Sequence, residues 1–241
     1  MTNKPILFSA PMIQALLDGR KTQTRRAIKL DGYDFTGYEC TGRLHDCTGG
    51  HGLELVSKEH GLWQPESNPN GRSAWYIRVP IMTGDRLWVR ETWRTESDYY
   101  NDLAPSEMSG EELLIFAADA DWSDNKSVGR SRASMHMPRW ASCLTLNITD
   151  VRVQRLQDIS EADARSEGVS IAIEDSPSSA WFSGLHQDTN LVGPMDGWHC
   201  NDAMAAFRDL WNSINDPDAW GENKWVAAYT FTVSKGNIDN G

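Results

Sequence analysis

A chain of 241 residues is long enough for one large domain or two small ones, and either would bury a proper core. Its formal net charge of -11 excludes a protein that coats DNA or RNA generally, because such affinity rests on many cationic contacts to phosphates. No apolar run is long enough to span a bilayer, the N-terminus has no signal-peptide core, and the four cysteines are few and irregularly spaced, so a reducing cytoplasm is expected.

Pro5-Ile6-Leu7-Phe8 opens the chain as a strand. A compact helix follows, with Ser9 as a good N-cap, Pro11 in its first turn, and Met12, Ile13, Leu16 and Leu17 on one apolar face. Gly19 stands where a helix ends in a left-handed cap. The helix thereby delivers Arg20-Lys21-Thr22-Gln23-Thr24-Arg25-Arg26 to one place, and the stretch from Arg20 to Lys29 is a candidate basic pocket in an acidic chain. Residues 30–75 are rich in Gly, Asp, Asn and His, with little periodicity, and read as long loops or hairpins inserted into the core. Asp85 to Trp93 is a strong strand opened by a Thr83-Gly84-Asp85 turn. Its alternation sets Leu87, Val89 and Glu91 on one face and Trp88, Arg90 and Thr92 on the other. Residues 94–133 are mostly irregular, with a short helix expected around Glu111 to Ala118.

Order returns at Met135 to Trp140 and in the alternating strand Cys143 to Ile148, which Val151-Arg152-Val153 extends after a turn at Asp150. Ser160-Glu161-Ala162-Asp163 is a capping-box variant opening a second helix that Gly168 closes. Residues 170–199 read as another loop insertion. Asn201 to Ile214 carries Met204, Phe207, Leu210, Trp211 and Ile214 on one face, the pattern of a core helix. Trp225 to Val233 closes the chain as a strand, followed by a polar tail. Short strands and a few helices without regular βαβ alternation predict an α+β domain around a mostly antiparallel sheet or small barrel. Cys40, His45, Cys47 and His51 form the only metal-like cluster, but their spacing fits no common zinc finger, and a polar loop is expected there. No phosphate-cradling glycine motif or dinucleotide fingerprint is present, and His136 lacks a nucleophile partner in any recognisable motif. Neither metal nor cofactor is expected.

As a set, Gly19 to Arg26, Gly84 to Trp93, Met135 to Ser142, Leu156 to Ala164 and the closing aromatic strand resemble the ASCH family, in particular its longer phage- and prophage-borne members. This family is a branch of the PUA-like β-barrel domains. The resemblance implies one PUA-like domain over 1–241, a small β-barrel with flanking helices enlarged by insertions at about 30–75, 94–133 and 170–199. It also implies chemistry on RNA or modified nucleosides. Some small members are amidohydrolases that remove the acetyl group from N(4)-acetylcytidine using a lysine, a threonine and a glutamate. Those roles carry over to Lys21, Thr24 and Glu167.

In such a hydrolysis Thr24 would attack the acetyl carbonyl while Lys21 takes its hydroxyl proton, which requires a lysine pKa well below about 10.4. Burial and the like charges of Arg20, Arg25 and Arg26 would lower it. Glu167 would protonate the leaving amine, and its place at a helix C-terminus would raise its pKa. On a straight strand Lys21 and Thr24 face opposite sides, so the scheme needs a turn between them. Arg20, Arg25, Arg26, Arg90, Glu91 and Trp88 are the candidate substrate contacts for a modified nucleoside or single-stranded RNA. Arg90 with Glu91 also reads as a structural ion pair, and Trp88, Trp93 and Trp140 as core. Two other functions fit the same basic residues. One is a non-catalytic RNA-binding module in which Lys21, Arg25 and Arg26 hold phosphates; the other is a ribonuclease in which they stabilise the phosphorane.

Overall fold

The computed structural model describes residues 2–28, 38–47, 50–57, 76–119, 128–169 and 203–240, of which those from 38 to 78 are described by backbone only. The elements in chain order are β1 (Asn3–Leu7), α1 (Ala10–Leu17), β2 (Gln23–Ala27), β3 (Tyr38–Cys47), β4 (Gly50–Ser57), β5 (Tyr76–Arg78) and β6 (Arg86–Arg90). There follow β7 (Trp93–Thr95), β8 (Leu114–Phe116), β9 (Leu144–Arg155), α2 (Glu161–Ser166), α3 (Ala203–Ile214) and β10 (Trp225–Lys235).

The main sheet has five strands in the order β1-β6-β9-β10-β2. Only the β1–β6 pair is parallel, so the sheet is mixed, though mostly antiparallel as expected. β10 lies between β9 and β2 and is buried from Trp225 to Tyr229. Its residues divide by alternation. Ala227, Tyr229 and Phe231 join Ile6, Phe8, Leu87, Val89, Leu146 and Ile148 in a core covered by Ile13 and Leu16 of α1. Val226 faces a second core of Leu156, Ile159, Ala164, Phe207, Leu210 and Trp211, built with α2 and α3. A strand covered on both sides needs a nearly continuous apolar run, which the closing segment has.

Among the described residues no barrel closes. The sheet curls instead until its edge strands are one arginine apart, for Arg26 of β2 donates to the Leu7 carbonyl of β1 at 2.8 Å and sits over the Phe8 ring at 5.3 Å. Strand β9 is continuous through Asp150 rather than turned there. Its register against β10 slips so that Thr230 pairs with Asp150 and Phe231 with Ile148, leaving Thr149 as a bulge.

The helix expected at Glu111 to Ala118 is absent. Glu112 instead accepts backbone bonds from Ser109 and Gly110 at 2.8 Å each, which fixes a turn. Leu114-Ile115-Phe116 then pairs with β7, a choice its branched and aromatic residues favour. Trp93, fully buried, anchors a third core with Met108, Met137 and Ala141, and Trp140 packs on its edge. The stretch around 30–75 holds the antiparallel β3-β4-β5 sheet, so Cys40, His45, Cys47 and His51 stand on strands rather than in a loop. Their side chains lie outside the described residues, as do the insertion at 170–199 and the first two residues of the helix expected from Asn201.

Candidate functional site

Helix α1 ends at Asp18, and Gly19 takes the left-handed φ of 72° that turns the chain back. Ser9 occupies the N-cap of α1 but makes no side-chain bond, so packing rather than capping holds this short helix. Past Gly19, the Lys21 amide donates to Ala15 at 2.9 Å, the Thr22 amide donates to Ser166 at 2.8 Å, and Phe231 donates to the Thr22 carbonyl at 3.0 Å. Three elements thus meet at Lys21 and Thr22, and β2 begins at Gln23.

The opposite wall is α2. Ser160 caps it by accepting from the Asp163 amide at 3.1 Å, and Gly168 ends it at φ 89° with Glu167 as the C-cap residue. A Cβ on Gly168 would lie 3.0 Å from both the Ala15 and Lys21 Cβ atoms, so α1, β2 and α2 converge as closely as glycine allows. Asp163 and Glu167 stand four apart and share a helix face, while Lys21, Gln23 and Arg25 alternate toward that face.

The two rows interlock. Lys21 Nζ donates to Glu167 Oε2 at 2.9 Å and to the Glu167 carbonyl at 2.8 Å. Arg25 donates to Glu167 Oε1 at 2.9 Å and meets Asp163 Oδ2 at 3.1 Å. Gln23 and Arg152 both donate to Asp163 Oδ1, at 3.1 and 3.0 Å. Glu161 accepts from the amides of Ala203 and Met204, which docks the start of α3 on α2.

Lys21 has no exposed surface, and burial pushes its pKa down. The Glu167 charge and hydrogen bond oppose the shift, whereas Arg26 and Arg25 add to it. Burial also lowers Arg26, with Glu167 and Tyr229 opposing. Asp163 stays below the ordinary carboxylate range because bonds from Arg152 and Gln23, with the charges of Arg152 and Arg25, outweigh its burial.

A half-open cleft of about 70 Å³ lies between β2 and α3. Thr24, Arg25, Arg26 and Glu167 supply its polar side, and Met12, Phe207, Leu210 and Trp211 its apolar side. At 10–15 Å³ per water this is room for roughly five to seven waters, about half the volume of a cavity that holds benzene.

Of the predicted trio, Lys21 and Glu167 are in direct contact, and Thr24 and Glu167 share the cleft. Lys21 stands behind Glu167 rather than on the wall, and no hydrogen bond joins it to Thr24. The turn expected between them does not form; the turn lies earlier, at Asp18 and Gly19. A neutral amine that gives two hydrogens to Glu167 keeps one lone pair, which is the feature a base toward Thr24 requires.

Arg25 and Arg26 line the cleft as predicted. Arg20 does not, since it pairs with Asp18 at 2.9 Å and donates to the Gly168 carbonyl at 3.0 Å near the surface. Arg90, Trp88 and Glu91 are on β6 or directly after it, away from the cleft lining. Arg90 stacks over Trp88 at 4.3 Å and donates to Met135, while Glu91 points into the core. The two form no ion pair, because strand alternation turns them to opposite faces.

Sequence reasoning missed Gln23 and Asp163, and it took Phe207 and Trp211 only as core. The matching rows at 21, 23, 25 and at 163, 167 carried the signal for the first two. The side-chain groupings found among the described residues hold no metal-like cluster of His, Cys, Asp and Glu, and no helix among them is long and apolar enough to cross a membrane. Comparison with protein-family models, curated proteins and solved structures finds no match to this chain.

Proposed function

We propose that the protein hydrolyses an amide on a modified nucleoside of the N(4)-acylcytidine type, on a PUA-like scaffold, with Thr24 as nucleophile, Lys21 as base and Glu167 as proton donor. The observation that carries this reading is the fully buried Lys21 paired with Glu167 behind a cleft that Thr24 and Glu167 both line. The base would enter between the Phe207 and Trp211 side and the arginines. Thr24 Oγ1 bonds to the acyl carbon as its proton passes to Lys21, a transfer that requires substrate binding to bring the two side chains within reach, and the proton then crosses the 2.9 Å contact to Glu167. Glu167 delivers it to the amine nitrogen as the C–N bond breaks, and water releases the acid from Thr24 to restore the site.

The test is incubation with N(4)-acetylcytidine and related acylated cytidines, followed by chromatography. Thr24→Ala is expected to lower turnover about a thousand-fold or more while binding stays within about twofold. Equal turnover by wild type and Thr24→Ala would remove Thr24 as nucleophile. A second reading, a non-catalytic RNA-binding module, is favoured by one observation: Lys21 is fully engaged with Glu167 and makes no bond to Thr24. Absence of turnover on the whole panel, with RNA bound, would select it.

A further inference from the structure

Charge balance in the buried cluster limits what Glu167 can do. Lys21 is 0% exposed, Arg25 2% and Glu167 4%, and each Glu167 carboxyl oxygen takes a bond from one of those two cationic side chains. Were Glu167 the only carboxylate here, Arg25, which is always charged, would hold it as counter-ion. Glu167 would then stay ionised and could not carry a proton to a leaving group.

Asp163 removes that limit. One turn before Glu167 on α2, its Oδ2 lies 3.1 Å from Arg25 Nη2, while Glu167 Oε1 meets Nη1 at 2.9 Å. Gln23 ties the two groups together, accepting from Arg25 Nη1 at 3.2 Å and donating to Asp163 Oδ1 at 3.1 Å. Phe207 of α3 packs on the same guanidinium at 5.8 Å. Arg152 of β9 also donates to Asp163, but it has a second carboxylate of its own in Asp150 at 3.6 Å. Against burial, the bonds and charge of Arg152, with the Gln23 bond and the Arg25 charge, hold Asp163 ionised. The other charges around α2 are engaged elsewhere. Arg165 pairs with Glu161 and Arg20 with Asp18, and burial keeps Tyr229 of β10 neutral. Arg26, half-buried, feels the Glu167 charge but is bonded to the Leu7 carbonyl. Arg25 thus balances Asp163, and one proton is left for Lys21 and Glu167 to share.

We propose that Asp163 is a positioning residue for the hydrolysis: acting through Arg25, it provides that arginine's counter-charge and leaves Glu167 free to take and deliver the proton. The part in catalysis rests on the amidohydrolase reading; the control of the Lys21–Glu167 proton does not.

The test makes two measurements on Asp163→Asn, which keeps the side-chain shape and one acceptor oxygen. The first is an NMR titration of the Lys21 side chain, which follows the proton of the coupled pair whether or not the protein is an enzyme. Loss of the Asp163 charge is expected to lower its midpoint by about one pH unit. The second is the pH profile of kcat/KM on N(4)-acetylcytidine. Both limbs should move toward acid by the same amount, so that activity falls about tenfold on the alkaline side and not on the acid side. Asp163→Glu should restore the profile. Arg152→Gln, at a half-exposed position, removes a positive charge instead and should raise the Lys21 midpoint by a smaller amount. Thermal melts check folding, and the upward shift in Arg152→Gln decides the matter alone if Asp163→Asn is unfolded. A Lys21 midpoint unmoved by the substitutions, a loss of activity uniform across pH, or shifts of the same sign in Asp163→Asn and Arg152→Gln would each overturn the proposal. If the midpoint moves as expected while the wild type hydrolyses no acylated cytidine, the amidohydrolase reading falls and the control of the pair by Asp163 stands.

Discussion

Burial drives Lys21 and Glu91 toward the same end, the uncharged form, though this lowers the pKa of one and raises that of the other. Glu91 is 4% exposed and one of its carboxyl oxygens lacks a hydrogen-bond partner. Burial, with the Asp119 charge, raises its pKa from 4.5 to about 7 against an opposing bond from the Ala118 backbone. The native state therefore keeps a proton that the unfolded chain has lost, so stability falls as pH rises from about 4.5 to about 7 and levels off above. A shift of this size corresponds to roughly 3 kcal/mol. Glu91→Gln should match the wild type at pH ~5 and exceed it by up to about that amount at pH ~8, as measured by urea unfolding. A constant difference between the two proteins at both pH values would contradict this. Asp85 gives the opposite sign. Bonds from the Thr2 and Met82 amides and from Lys4 outweigh its burial and lower its pKa to about 2, so its stabilisation is lost as pH falls from 3.8 toward 2. Asp85→Asn should remove that acid-side loss in the same measurement. The inward direction of Glu91 was legible from alternation. That one of its oxygens would lack a partner was not, because that depends on what β8 and the segment before β9 bring against it.

Short elements here are defined by their ends. Ser160, Gly168 and Gly19 announced the limits of α1 and α2, since cap chemistry is local and visible in sequence. The segment Glu111 to Ala118 was expected as a short helix, but Glu112 closes a turn and the strand partner Trp93 to Thr95 is distant in sequence. Asp163 had been read as half of a capping box. Its amide does take the cap from Ser160, but its carboxylate is turned to Gln23, Arg25 and Arg152. A local role thus concealed a distant one. Gly168 belongs at this scale because it joins two elements. Gly168→Ala places a side chain at φ 89° and 3.0 Å from the Lys21 and Ala15 Cβ atoms. It should cost about 2 kcal/mol or more and disturb the Lys21–Glu167 contact. Thermal or urea unfolding would show the loss, and a variant as stable as wild type would mean that the α2 end is looser than this convergence implies.

The α+β class was legible across the whole chain, whereas the sheet order was not. Neither periodicity nor turn signals reveal that β1 pairs with β6 some 80 residues later, with Asn3 opposite Arg86. Central placement has a consequence for exchange. Strand β10 is bonded on both sides and divides two cores, so the Ala227 and Tyr229 amides should exchange only through global unfolding. Hydrogen exchange that reports a free energy at these amides well below that from urea unfolding would refute this. The near-closure of the sheet also bears on self-association. Because the Phe8 amide faces β6, the outward positions of β1 are Asn3, Pro5 and Leu7. Proline offers no amide proton to an incoming strand, and the Leu7 carbonyl is already taken by Arg26. A neighbouring molecule would find too few open groups along this border to extend the sheet, and the guanidinium that does the covering repels cationic chains as well.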